Sequence, residues 1–439
     1  MRKIAYLGLL LLFPAGALQG KTPFDDAIIK PKTFMSSNTQ EAKKDNFSRE
    51  KLITKSKAKV KSWIEKVRRF FFDGASRVEQ GIQMATERFH KDKAESGPTP
   101  VPIMEALRAK FPNSSLPPKL VGTTLDLAAM PVKDGNETTA QFAERRRKFC
   151  FDVMFKAQTM GFNSMRLGAY WSQIQPDPTK PPDFGYLDDL LEAAKANGIN
   201  ITLAVGAKAP GYPEFYIPDW AQTPATKGKG LNLAHDPVFR ANAGKFVSMV
   251  ARRYAADDTI GMWQVENEPL DRFNGSMNSI GPEMLQEEIN ILRKADGSQR
   301  PVLINVWSEG TSANKENMRK AFEMADAVAL DVYFNAPSPA GRHFRTVHGP
   351  AYAAELARKT GKPLMIGELQ ADDWGDYKAN AKDVQALSDQ MERMGIKDLF
   401  FWRMDQNLSN NSRGDTSLDK VQEEIARSKL GSESKPSAP

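Results

Sequence analysis

The segment Gly261–Phe273, "GMWQVENEPLDRF", changes from an apolar run to a charged cluster within a few residues. The apolar run is typical of a buried strand. Glu266, Asn267 and Glu268 are costly to bury, and Pro269 cannot continue a hydrogen-bonded ladder. The segment therefore predicts a strand that ends where charged side chains are needed, and the rest of the chain shows what kind of sheet contains it.

Seven further apolar, β-leaning runs occur along the chain, each separated from the next by residues with helical periodicity. In order, the eight runs are "LVGTTLDL" from residue 120, "SMRLGAYW" from 164, "NITLAVGA" from 200, "TIGMWQVE" from 259, "PVLINVWS" from 301, "AVALDVYF" from 327, "KPLMIGEL" from 362 and "DLFFWRMD" from 398. Several helical segments between them end in glycine or asparagine, which are helix stop signals. Strands that are continuously apolar are typical of a parallel sheet covered by helices.

Eight strand–helix units in about 290 residues match the size of a (β/α)₈ barrel, the TIM-barrel fold. We expect this barrel over residues 118–427, preceded by an N-terminal helical extension and followed by a disordered tail over 428–439. An open, doubly wound sheet is the alternative. No G-x-G-x-x-G or P-loop follows the first strand, which weakens that alternative.

The first twenty residues have the layout of a secretory signal peptide. Arg2 and Lys3 precede a mostly apolar stretch from Ile4 to Leu18, and small residues lie near its end. The layout predicts a secreted or periplasmic protein, with an uncleaved N-terminal anchor as the alternative. The chain's one cysteine, Cys150, allows no internal disulfide, and its position in a helical pattern indicates a buried apolar residue.

Residues 21–117 are expected to hold a polar spacer, one or two amphipathic helices and a linker. Apolar residues recur at steps of three and four from Val60 to Phe89, with basic residues beside them. Residues 60–93 could therefore contact a membrane surface or a protein partner, although packing on the main domain or on a second copy is the favoured explanation of the pattern.

The net charge of +7 belongs to the N-terminal part of the chain. Residues 21–100 contain 18 Lys and Arg against 11 Asp and Glu, whereas residues 101–439 contain 41 against 43. A nearly neutral main domain gives no support for nucleic-acid binding. The four histidines, His90, His235, His343 and His348, lack metal-ligand spacing, so we expect neither a metal nor a cofactor.

If the chain forms a barrel, its functional side chains lie at the C-terminal ends of the strands. Glu268 ends the fourth run and Glu368 ends the seventh, so the two can face each other across the barrel mouth. Such a pair suits glycosidic bond cleavage, in which one carboxylic acid protonates the leaving oxygen and one carboxylate attacks the anomeric carbon. Their surroundings must then separate their pKa values.

These residues also carry a family resemblance. "NEP" after the fourth run, a lone glutamate after the seventh, "MRLGAYWSQIQP" and "FFWRMD" resemble the retaining glycoside hydrolases of clan A, among which families 5, 39 and 42 are the nearest. The resemblance covers about residues 118–410. It implies that Glu268 is the general acid/base and Glu368 the nucleophile. It further implies substrate-binding or supporting roles for the remaining strand-end residues, which are Arg166, Asn267, Tyr333 and Trp402.

In that reading Asn267 binds the sugar 2-hydroxyl, Arg166 and Tyr333 hold the nucleophile ionised and oriented, and Trp402 lies under the sugar ring. Glu266 and Asp331 are interpreted as structural or supporting residues. The long segment after the third strand carries the aromatic residues Tyr212, Phe215, Tyr216 and Trp220. These either line an extended glycan cleft or anchor a long loop, and the sequence does not separate the two readings.

Taken together, the sequence predicts an exported glycosidase (EC 3.2.1 type) that cleaves a β-linked glycan with retention and acts in an endo manner. Two alternatives of other classes remain. One is a carbohydrate-binding barrel without catalysis, and the other is an exported protein whose N-terminal helices tether it to a membrane or a partner.

Overall fold

The computed structural model describes residues 104–272, 276–297, 299–333, 336–337, 343–344, 349–371, 373, 379–404 and 417–431. The chain divides into two compact units, Met1–Pro98 and Thr99–Pro439. The predicted signal peptide, spacer, amphipathic helices and most of the linker lie outside the described residues, as does the tail after residue 431.

Eight parallel strands form a closed barrel, which confirms the predicted fold. The strands are β1 (Val121–Thr124), β2 (Ser164–Tyr170), β3 (Asn200–Gly206), β4 (Ile260–Val265), β5 (Val302–Trp307), β6 (Ala327–Val332), β7 (Leu364–Gln370) and β8 (Leu399–Trp402). The strands are hydrogen-bonded in sequence order, and β8 pairs with β1 to close the ring. The alternative of an open doubly wound sheet is therefore wrong.

A helix follows each strand. These helices are α1 (Thr139–Thr159), α2 (Gly185–Ala196), α3 (Pro237–Arg253), α4 (Pro282–Asp296), α5 (Ser312–Met324), α6 (Gly349–Thr360), α7 (Ala381–Arg393) and α8 (Ser417–Leu430). Shorter pieces are the helix Glu105–Lys110, the single turns Trp171–Ile174 and Pro224–Lys227, three 3₁₀ turns, and an antiparallel pair of Ala336–Pro337 with His343–Phe344. No helix among the described residues is long and apolar enough to span a membrane.

Local sequence explains where the helices begin and end. Helix α1 starts at a capping box, in which the Thr138 hydroxyl accepts from the Gln141 backbone N–H and the Gln141 side chain accepts from the Thr138 backbone N–H. Asp236 caps α3 ahead of Pro237, a residue suited to the first helical position. Helix α4 ends at Gly297, whose φ of 67° is in the left-handed region that favours glycine.

The N-terminal end of the barrel is closed by residues that precede β1. Met104, Leu107, Leu116 and Leu120 are buried in one cluster with apolar side chains near the starts of the strands, such as Phe400. The unit therefore includes chain before the predicted boundary at residue 118, because these apolar side chains cover the open end of the barrel. At the other boundary α8 continues to Leu430, so residues 428–430 are helical and the tail prediction began too early.

Candidate active site

Buried polar side chains from neighbouring strands meet near the C-terminal end of the barrel. Arg166 on β2, Gln264 on β4, Asn305 on β5 and Asp331 on β6 are all fully buried, and Glu368 on β7 is 4% exposed. A barrel interior is normally filled by apolar side chains, and apolar side chains do fill the N-terminal end of this barrel. Polar groups in the upper layer must therefore satisfy one another or a ligand.

Glu368 accepts a hydrogen bond at each carboxylate oxygen. The Arg166 guanidinium donates to Oε1 at 2.7 Å, and the Tyr333 hydroxyl donates to Oε2. Arg166 also donates to Gln264 at 2.8 Å and to the Asn267 side-chain oxygen. The structure thus brings Glu368, Arg166 and Tyr333 together as the sequence predicts, and the two donors fix the orientation of the Glu368 carboxylate.

Burial alone would lower the pKa of the Arg166 guanidinium. The nearby carboxylates of Glu368 and Asp331 outweigh burial and raise that pKa above its usual value. Arg166 is therefore held as a permanent cation at the centre of the polar layer, where it binds residues from β4 and β7 at once.

Glu268 lies just beyond β4 with its backbone in the left-handed region, at a φ of 43°. A side chain from β5 and one from the loop after β3 hold this backbone. The Glu268 N–H donates to the Asn305 side-chain oxygen at 2.9 Å, and the Glu268 carbonyl accepts from the Lys208 ammonium at 2.9 Å. A non-glycine residue with positive φ is uncommon and clusters at functional sites, where surrounding contacts maintain it.

The environment of Glu268 favours its protonated form. Burial raises the pKa of its carboxyl well above the usual value, and the negative charges of Asp331, Glu214 and Glu368 raise it further against the opposing effect of Lys208. Glu268 and Glu368 therefore lie close enough for the charge on one to affect the other. The Glu268 carboxyl is surrounded by negative charge, whereas the Glu368 carboxylate accepts from two donors. A general acid and a nucleophile need such different surroundings.

Asn267 is oriented by two donors. Its side-chain oxygen accepts from Arg166 and, at 2.9 Å, from the Asn305 amide, so that the amide N–H groups of Asn267 remain for another acceptor. Asn305 in turn donates to Asp331 at 2.7 Å. The sequence prediction included Asn267 but missed Asn305, since an asparagine within an apolar strand run gives no signal by itself.

Aromatic rings form a wall beside Glu368. Tyr333 stacks on Trp307 with a centroid distance of 5.1 Å and an interplanar angle of 28°, and half-buried Trp402 packs against this pair. Trp402 lies where the sequence places it, at the end of β8. Trp307 also belongs to this wall, because its position as the last residue of β5 brings it to the barrel mouth.

The structure shows the role of two of the four aromatic residues in the long loop after β3. The Tyr216 ring is buried against Tyr170 at 4.6 Å between centroids, and Trp220 packs on Trp171 at 5.7 Å while its indole N–H donates to the Gln175 carbonyl at 2.8 Å. These two rings therefore anchor the loop. Tyr212 at the tip is 86% exposed.

Two further sequence interpretations are confirmed. Glu266 is fully buried and accepts from the backbone N–H groups of Ala207 and Lys208, so it is a structural hydrogen-bonding residue. Cys150 is fully buried, and burial raises the pKa of its thiol to about 12. Within the described ranges, no group of three or more His, Cys, Asp or Glu side chains is arranged to hold a metal ion.

Comparison with known proteins finds similarity over part of the chain. A family model described as beta-galactosidase, of glycoside hydrolase family 42, matches residues 142–280, a segment that contains Arg166, Asn267 and Glu268. The chain is similar to glycoside hydrolases of clan A. A beta-galactosidase from an Arthrobacter species is 29% identical over 121 residues, which make up 25% of this chain and 17% of that protein. The chain therefore matches less than a fifth of that relative's length.

Solved structures share the fold. GH5_18 from Streptomyces cattleya, determined in complex with GlcNAc, is 14% identical, with 73% of this chain and 82% of that one covered and a TM-score of 0.52. The exo-beta-1,4-mannosidase Op5Man5 from Opitutaceae bacterium strain TAV5 is also 14% identical, with coverage of 71% and 59% and a TM-score of 0.52. At this identity the likeness concerns the barrel alone, and families 5 and 42 of the expected clan are both represented.

Proposed function

We propose that this protein is a retaining β-glycosidase in which Glu368 is the nucleophile and Glu268 the general acid/base. The single observation that carries the proposal is the unequal environment of the two glutamates. Glu368 accepts from Arg166 and Tyr333, whereas burial, followed by the negative charges around it, raises the pKa of the Glu268 carboxyl. The similarity to clan A and to beta-galactosidases supports the same reaction class.

In the proposed first step, a carboxylate oxygen of Glu368 forms a bond to the anomeric carbon. The bond from that carbon to the glycosidic oxygen breaks as Glu268 transfers its proton to the leaving oxygen. In the second step Glu268, now a carboxylate, takes a proton from water. The water oxygen bonds to the anomeric carbon and releases Glu368, so that configuration is retained and both glutamates return to their starting forms.

The remaining groups would bind and orient the sugar. The amide N–H groups of Asn267 could donate to an acceptor such as the 2-hydroxyl, while Trp402 offers an aromatic face on which a sugar ring can stack. Arg166 and Tyr333 act on Glu368 and hold the attacking carboxylate in place through their hydrogen bonds.

The substrate is proposed to be a β-linked glycan, and β-galactosides are the first candidates because the relatives named above are beta-galactosidases. Endo action was expected from an aromatic loop that would extend the cleft. Tyr216 and Trp220 instead anchor that loop, so this support for endo action is lost. The size distribution of products from an oligosaccharide series separates endo from exo cleavage.

The test is hydrolysis of a panel of aryl β-glycosides and polysaccharides by wild type, E368Q and E268Q, with E283Q at an exposed glutamate of α4 as the matched control. We expect E368Q to lose activity on every substrate by at least about a thousandfold, while E283Q retains wild-type rates. A wild-type protein that binds a glycan and cleaves none would contradict the proposal and favour the carbohydrate-binding alternative.

A further inference from the structure

Lys208, two residues beyond the end of β3, is a fully buried lysine in the wall of the candidate site. Its ammonium donates to the Glu268 carbonyl oxygen at 2.9 Å and forms an ion pair with Glu214 at 3.0 Å. A buried ammonium is costly unless it is paired and hydrogen-bonded. Both of the contacts named here involve glutamates at the barrel mouth, so Lys208 connects the loop after β3 to the proposed acid/base.

The backbone that Lys208 contacts needs support. Glu268 adopts a φ of 43°, a conformation that side-chain-bearing residues rarely adopt and that persists only when neighbouring groups maintain it. The Asn305 side chain on β5 binds its N–H and Lys208 in the loop after β3 binds its carbonyl, so the two sides of the residue are held by different parts of the barrel. Loss of either contact would free Glu268 to relax towards an ordinary conformation and would re-aim its carboxyl.

Glu214 is supplied by a tight hairpin that folds back on Lys208. Ala209 N–H donates to the Glu214 carbonyl at 2.9 Å, Tyr216 N–H donates to the Ala207 carbonyl at 2.9 Å, and Lys208 and Phe215 form an antiparallel bridge. Glu214 has a φ of 72°. Its side chain is 19% exposed, so the ion pair is largely removed from water and its geometry is fixed by the hairpin.

We propose that Lys208 is a positioning residue for Glu268, holding the acid/base through its backbone carbonyl, and that Glu214 is the counter-ion that keeps the Lys208 ammonium in place. This inference deepens the proposed function and rests on it, since it assigns to two residues of the loop after β3 a part in protonating the leaving oxygen. Neither residue touches the reacting atoms in this account.

The charges of the pair act on Glu268 in opposite directions. The positive charge of Lys208 opposes the rise in the pKa of Glu268, whereas the negative charge of Glu214 adds to it. Burial alone would lower the pKa of Lys208, but Glu214 and Glu268 raise it, so the ammonium stays charged in the folded protein. Neutralising one partner at a time should therefore move the titration of Glu268 in opposite directions.

The test compares K208M and E214Q with wild type on two aryl glycosides of the same sugar. Phenyl glycosides need protonation of the leaving oxygen, whereas 2,4-dinitrophenyl glycosides need little. We expect K208M to lose roughly tenfold or more in kcat/KM on the phenyl substrate and to stay within about twofold on the dinitrophenyl substrate. E214Q should show the same selectivity with a smaller loss, because glutamine keeps the size of Glu214 and can present its amide oxygen to Lys208 while it removes the charge.

Two controls separate positioning from general destabilisation. R300M removes the cation of another buried ion pair, Arg300–Asp296, at the opposite end of the barrel, and K195M removes an exposed lysine paired with Asp258. Both should leave the ratio of the two rates unchanged. Equal losses on both substrates in K208M and E214Q would overturn the proposal. If K208M does not fold, the ratio of the rates of E214Q on the phenyl and dinitrophenyl substrates tests the proposal in its place.

A measurement that needs no activity distinguishes failure of this inference from failure of the proposed function. The side-chain carboxyl carbon of Glu268, labelled with carbon-13 and assigned by its loss in E268Q, is titrated by NMR. We expect its midpoint to rise in K208M and to fall in E214Q. An unchanged midpoint in both variants would refute the role of the pair, whereas a wild type that hydrolyses no glycoside would refute the reaction itself.

Discussion

Asp331 shows how one side chain within a strand can govern the proposed acid. It is fully buried on β6, and Asn305 donates to one of its oxygens at 2.7 Å. The Glu268 carboxyl, when protonated, can donate to Asp331 as well. Burial, followed by the charge of Glu368, raises the pKa of Asp331 well above its usual value. Asp331 and Glu268 therefore form a pair of carboxyls in which sharing a proton is favoured.

We predict that D331N moves the alkaline limb of the kcat/KM pH profile to lower pH. The charge of Asp331 raises the pKa of Glu268, so its removal lets Glu268 lose its proton at lower pH and the acid form disappears sooner. D258N, which changes an exposed aspartate, serves as the control and should leave the limb in place. A limb that stays fixed or moves to higher pH in D331N would contradict this assignment.

The sequence predicted some site residues and missed others for a physical reason. Glu268, Glu368 and Trp402 were identifiable because each interrupts or ends an apolar run at a strand terminus. Asn305 sits inside such a run and Lys208 follows one closely, so neither gives a signal of its own, whereas Asp331, also inside a run, was interpreted only as a supporting residue. Their roles depend on which strands are neighbours and on the inward direction of each side chain, and that information comes only from the closed barrel.

At the scale of elements, a second carboxyl pair joins β4 to helix α4. Glu266 and Glu288 are both buried, and neither Glu288 oxygen has a conventional hydrogen-bond donor among the described residues. Burial raises the pKa of Glu266 to about 7, while burial and then the charge of Glu266 raise the pKa of Glu288 well above its usual value. Ionising both groups in the folded state is therefore unfavourable.

We predict that E288Q is more stable than wild type above pH 7. A carboxyl with a raised folded-state pKa stabilises the fold below its unfolded pKa of 4.5 and loses that contribution as the pH rises through its folded value, about 7 for Glu266. The amide that E288Q introduces can donate to ionised Glu266, which should raise Tm by about 2 °C at pH 8. E287Q, at the exposed neighbour, is the control. A lower Tm in E288Q at pH 8 would contradict the pairing.

The loop after β3 gives a second prediction at this scale. Trp220 packs on Trp171 and donates to Gln175, so W220A should lower stability by about 2–3 kcal/mol. Activity on long and short substrates should then fall in the same proportion. Y212A, at the exposed tip of the same loop, should leave Tm unchanged. Denaturant unfolding measures the loss of stability, and rates on an oligosaccharide series measure the dependence of activity on substrate length. A selective loss on long substrates in W220A would restore the cleft reading.

Whether the loop aromatics are anchors or cleft residues could not be read from the sequence. A ring on a Pro/Gly-rich loop has the same pattern in either role, and the outcome depends on the partner that the fold brings to it. Trp171 and Tyr170, which pack against Trp220 and Tyr216, lie at the end of β2, in an earlier strand–helix unit of the chain.

For the whole molecule, the eightfold pattern was predictable because strand and helix periods alternate regularly, and the barrel's closure follows from the number of units. The N-terminal boundary of the domain was not predictable. The residues that cover this end of the barrel are scattered apolar residues in a Pro-rich stretch. We propose that the N-terminal segment directs export of the protein to the periplasm or beyond. Residues 60–93 would then contact a membrane or a partner.

We predict that deletion of residues 21–98, with the first twenty residues retained, leaves kcat/KM on a short aryl glycoside within about twofold of wild type, because the described site residues belong to the unit Thr99–Pro439. Fractionation should shift towards the soluble periplasmic or extracellular pool if the basic helices bind a membrane. Equal distribution and equal oligomeric state of the two proteins would rule out the tether alternative.

The central claim, that Glu368 forms a bond to sugar while Glu268 moves the proton, is tested most directly by trapping the intermediate. A 2-deoxy-2-fluoro β-glycoside with a dinitrophenolate leaving group, made from the sugar that the substrate panel identifies, is incubated with wild type and with E268A. Peptide mass spectrometry should then place the fluoroglycosyl adduct on Glu368 in wild type, and azide should accelerate turnover of E268A with a β-glycosyl azide as product. An adduct on another residue, or a product of inverted anomeric configuration without any adduct, would contradict the account.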